Sequence, residues 1–101
     1  MPATEFRLHL WSRLPGDRPP AASFDAESTL HGAALALRLF MQSGYDITVP
    51  GAHLDVLAPG EPSRTMMISE VLEWLHQPDQ AGLIEKENLE QVLSVAPPSR
   101  I

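Results

Sequence analysis

Apolar and polar residues alternate from Glu5 to Leu14. Phe6, Leu8, Leu10 and Leu14 fall on one side, and Arg7, His9, Trp11 and Arg13 on the other. A period of two over this length predicts a strand with one buried face. Pro15–Ala22, with three prolines and a glycine, stops that strand and predicts a loop. The period then lengthens. Leu30, Ala33, Ala34, Leu37, Phe40 and Met41 form a helical stripe, which predicts a helix over Asp25–Ser43. Ser23 or Asp25 is placed to cap it, Asp25 and Glu27 suit its positive end, and Gly44 stands where a left-handed C-terminal cap belongs. Gly32 and Ala36, one turn apart, leave room for another backbone to approach.

Beyond Gly44 the pattern shortens again. Asp46–Val49 and His53–Leu57 read as two short strands around Pro50-Gly51, a dipeptide suited to the centre of a type II turn. After the loop Ala58–Pro62, Ser63–His76 reads as a helix with Met67, Ile68, Val71, Leu72 and Leu75 on its apolar stripe and Glu70 and Glu73 outside it. Trp74 widens that arc, as a helix buried on two sides would, by the next helix or by a second subunit. A last helix spans Ile84–Val95 and carries Leu89, Val92 and Leu93. The expected fold is α+β: a small two- to three-stranded sheet with helices packed on one face, in the order β-α-β-β-α-α. Residues 1–96 form one domain in this reading, and residues 97–101, opening on Pro97-Pro98, a flexible tail.

The chain has 101 residues, and its hydrophobic fraction of 44% is enough for one core. It has no cysteine, which excludes disulfides, thiolate metal sites and a cysteine nucleophile. The first ten residues carry Glu5, Arg7 and His9 instead of an apolar leader, and Arg38 interrupts the longest apolar run, Ala33–Met41. A cytoplasmic location is the expectation. The net charge of −6 opposes phosphate binding, so neither nucleic acid nor an anionic membrane is expected as a partner. The acids concentrate in residues 61–101, where Arg64, Lys86 and Arg100 face seven of them.

Three features are candidates for chemistry. The outward face of the first strand, Arg7, His9, Trp11 and Arg13, combines a stacking surface with planar bidentate donors. That mixture is enriched where proteins bind one another. A solvated face on which Arg stems cover Trp11 has comparable weight, and base stacking with phosphate binding comes third. His53 and Asp55, two apart on a strand, point the same way and can share a metal ion with a third ligand, which His9 supplies if the two strands are neighbours. A hydrogen-bonded or solvated His–Asp pair is the commoner outcome of such spacing. The third feature is the wide arc of the helix that carries Trp74, for which burial by the last helix outweighs a twofold homodimer.

Other groups have simpler accounts. His76 at a helix end interacts favourably with the dipole, His31 lies within the first helix, and the near-even spacing of His9, His31, His53 and His76 matches no ligand motif. Ser43 lacks the flanking glycines of a nucleophile elbow, and the six glycines form no phosphate loop. Glu70 with Glu73, and Glu87 with Glu90, read as solvating charges on outward helix faces. No motif carries a resemblance to a known family. The expected function is a non-catalytic binding or regulatory module acting through protein–protein contact, with a homodimer as one form and no cofactor. The alternative is a small metal- or metabolite-dependent enzyme using His9, His53 and Asp55.

Overall fold

The computed structural model describes residues 3–9, 20–25, 28–48 and 51–95. Four strands, β1 (Thr4–His9), β2 (Ala21–Phe24), β3 (His53–Leu57) and β4 (Arg64–Met67), form one sheet in the order β2-β1-β3-β4. Every neighbouring pair is antiparallel. β2 and β3 both run against β1, so they are parallel to each other, and the connection between them carries α1 (Thr29–Gln42) past the strand they flank. α2 (Ile68–Leu75), a single 3₁₀ turn (Pro78–Gln80), α3 (Ala81–Glu87) and α4 (Glu90–Leu93) follow β4. The α+β class stands as expected. The sheet has four strands rather than two or three, and the described order is β-β-α-β-β-α-α-α with the 3₁₀ turn between α2 and α3.

The differences have local causes. Ser23 does not cap a helix; it lies in β2 opposite Glu5, while Ala22 pairs with Phe6 and turns inward. α1 begins later, and Ser28 is its cap, its hydroxyl accepting from the His31 N–H at 3.1 Å. The other end behaves as its sequence implies. Gly44, at φ 94°, lets its own N–H reach Met41 O and that of Tyr45 reach Phe40 O, both at 3.0 Å. That is a Schellman closure. Asp46–Thr48 forms a turn instead of a strand, with Asp46 accepting from the Thr48 N–H at 2.9 Å and Ile47 pressed into the core; Val49 and Pro50 lie outside the described residues. Ser63 is not helical, and Arg64–Met67 is strand, because Met66 pairs with Leu54 and both are buried, while Met67 is 42% exposed. The last expected helix is broken at Asn88, which adopts φ 55° and ψ 48° between α3 and α4. Leu10 and Leu14 lie outside the described residues.

The core lies between the sheet and the helices. Phe6, Leu8, Leu54, Val56 and Met66 face it from the strands. All seven residues from His31 to Leu37 are buried, more than one amphipathic face can account for. α1 is enclosed instead, with the sheet on one side and α2 and α4 on others. Its run of Gly32, Ala33, Ala34 and Ala36 permits that close approach. The arc expected of the next helix is narrower than its sequence suggests. Ile68, Val71, Leu72 and Leu75 form one ordinary buried face, Trp74 is half-buried, and Met67 belongs to β4.

Candidate functional site

Alternation along β1 sends Phe6 and Leu8 inward and Glu5, Arg7 and His9 outward. The register then aligns rows across the outer face of the sheet. His9 stands opposite His53, and His53 opposite Met67. Ala21, Arg7, Asp55 and Thr65 form a second row, and Ser23, Glu5 and Leu57 a third. These residues are exposed or half-buried, whereas the inward residues of β1 and β3 are almost wholly shielded.

Two charge contacts cross this face. Arg7 Nε donates to Glu5 Oε2 at 2.5 Å along β1. His9 Nε2 lies 2.6 Å from Asp55 Oδ2 on the diagonal across β1 and β3. The second contact is close but makes no hydrogen bond. The His9 and His53 rings stack with centroids 5.1 Å apart and planes 10° from parallel. His53 Nδ1 lies 3.0 Å from the carbonyl of Gly51. A carbonyl only accepts, so in this contact Nδ1 is the donor.

Of the residues expected on this face, Arg7 and His9 are there, and His53 and Asp55 converge with His9 because β1 and β3 are neighbours. Trp11 and Arg13 lie outside the described residues. The trio does not surround a common point: among the described residues no group of three or more His, Asp or Glu is arranged to hold a metal ion. Two open clefts, of about 470 and 400 Å³, lie beside β4, and the trio lines neither. The first is lined by Leu30, Met66, Glu70 and Trp74 among others, the second by Thr29, Val56 and Pro62, and Arg64 reaches both.

A second cluster, which the sequence pattern does not single out, gathers around His31. His31 is only 5% exposed, neither ring nitrogen has a hydrogen-bond partner, and its ring centroid lies 6.4 Å from that of Trp74. Its Nε2 stands 3.8 Å from Glu87 Oε1, while Arg38 Nη1 donates to the Glu87 carbonyl. Glu87 is thus no simple solvating charge. The available signal was spacing: His31 and Arg38 are seven apart, two turns along one side of α1. His76, by contrast, closes α2 as expected of a residue at a helix end, with Nε2 3.3 Å from Val95 O. No described helix is long and apolar enough to cross a membrane. The chain matches no protein-family model, no curated protein and no solved structure.

Proposed function

We propose that this protein is a non-catalytic binding module that contacts a protein partner through the outer face of its sheet. The observation that carries the reading is the open row His9–His53–Met67 with Arg7 beside it, a flat surface of stacked rings, an exposed thioether and a guanidinium. Arg and Met are enriched in the cores of protein interfaces. On this face Arg7 is paired with Glu5, and Asp55 adds a further negative charge, which disfavours a polyphosphate partner.

The test compares wild type with an Arg7→Glu, Met67→Glu double variant whose fold is verified by circular dichroism and thermal melting. Captured partners are cross-linked and the contacts mapped by mass spectrometry. Cross-links on β1 and β3 that vanish in the variant support the reading. A partner retained by the variant, or cross-linked only to the helices, contradicts it.

The convergence of His9, His53 and Asp55 favours a second reading, a small metal- or metabolite-dependent enzyme built on those three side chains. It predicts that zinc or a metabolite perturbs the imidazole resonances of His9 and His53 together, and that Asp55→Asn weakens the effect. Against it stands the arrangement of the trio, which among the described residues is not one that holds a metal ion.

A further inference from the structure

α3 is the least anchored helix described. None of its seven residues is buried, and its main packing partner is the 3₁₀ turn that precedes it. Immediately beyond, Leu89 and Val92 are fully buried. The boundary between the loose and the secured segment is Asn88, in the left-handed conformation that Asn tolerates. Few points hold α3 down: half-buried Ile84, the Leu89 N–H bond to Ile84 O at 3.2 Å, and Glu87 gripped through its carbonyl by Arg38. Gly82, in the first turn of the helix, weakens it further.

The closed position also carries a cost. His31, whose Nε2 stands 3.8 Å from Glu87 Oε1, has two ring nitrogens out of water without a hydrogen-bond partner. Burying unpaired polar atoms is unfavourable, and opening returns them to solvent. We infer that Pro78–Glu87 is a flap, clasped by Arg38 at Glu87, that opens about Asn88 while the sheet, α1 and α4 stay folded. Opening hydrates His31. The root of the flap borders the cleft beside β4, because Trp74 and Gln77 line that cleft and Gln77 directly precedes the flap. This inference is independent of the outer-face reading.

Native-state hydrogen exchange on the full chain tests it. The amides of Glu85–Leu89 are expected to exchange faster than those of Leu35–Leu37, through an opening smaller than global unfolding. Arg38→Met, which removes the clasp and keeps the apolar stem, should speed α3 exchange about tenfold or more while leaving Leu35–Leu37 unchanged. Gly82→Ala should slow it roughly two- to fivefold, since a Cβ there meets nothing within 4 Å. Exchange of both segments at one rate, shifting together in both variants, would overturn the flap. Fast α3 exchange indifferent to both substitutions would overturn it equally, since the helix would then be neither clasped nor formed.

Discussion

His9 and His53 are direct cross-strand partners whose rings stack 5.1 Å apart on the outer face of the sheet. Their backbones are fixed by the ladder between β1 and β3, so the stack costs little extra order. Facing aromatic side chains across antiparallel strands typically add a few tenths to about 1 kcal/mol. A double-mutant cycle with His9→Ala and His53→Ala, read by urea denaturation, should give a favourable coupling of roughly 0.5 kcal/mol. Strict additivity would mean that the rings sit side by side without interacting.

The centre of α1 should be the most sensitive part of the molecule. Leu37 is wholly buried, and α1 is enclosed by the sheet, α2 and α4, leaving little room to collapse around a lost side chain. Leu37→Ala should cost about 2–5 kcal/mol. The same melts on Leu39→Ala, at a position 40% exposed on the same helix, should show a change within about 0.5 kcal/mol. Equal losses would place the buried face of α1 wrongly.

Local pattern revealed the two elements with the strongest periodicity. The alternation of Phe6 and Leu8 against Arg7 and His9 identified β1, and the stripe from Leu30 to Met41, closed by Gly44, identified most of α1. What escaped is non-local. Ala21–Phe24 has small residues and no apolar alternation of its own, and becomes a strand only because β1 offers an edge to pair with. Arg64–Met67 continues a plausible helical stripe, and its pairing with β3 overrides that preference. The meeting of His9 with His53 and Asp55 was legible only as a condition on strand order, which the ladder between β1 and β3 meets. The meeting of His31 with Trp74 of α2 and Glu87 of α3 depends on elements that arrive from later in the chain.

Neighbouring methionines test the register of β4. Met66 points inward opposite Leu54 and is 4% exposed, whereas Met67 points outward opposite His53. Met66→Ala should destabilise by about 2–5 kcal/mol and Met67→Thr by less than about 0.5 kcal/mol. A helix through these residues, as the sequence suggests, would put Met67 on the buried stripe and reverse the order of the two losses. A slip of the strand by one residue would reverse it too, since side chains alternate between faces. Chemical denaturation of the two variants decides the matter.

The turn after α1 makes a prediction about acid. The Asp46 carboxylate accepts from the Thr48 hydroxyl at 2.5 Å and from its N–H at 2.9 Å. Those bonds, the hydroxyl contributing most, hold the carboxyl below its ordinary value of 3.8, against a slight opposing effect of desolvation. Both bonds favour the ionised form, so folding depresses the pKa. The stabilisation they provide is complete above the unfolded value and is lost as the pH falls through the folded one. Asp46 is fully exposed, so the effect on global stability is small and the direct observable is the titration itself. The carboxyl carbon resonance of Asp46 should show a midpoint below 3.8, and Thr48→Val, which removes the hydroxyl and keeps the N–H, should raise that midpoint part of the way back. A midpoint unmoved by the substitution would show that the hydroxyl does not bond to the carboxylate in solution, and would leave the buried position of Ile47 to hold the turn.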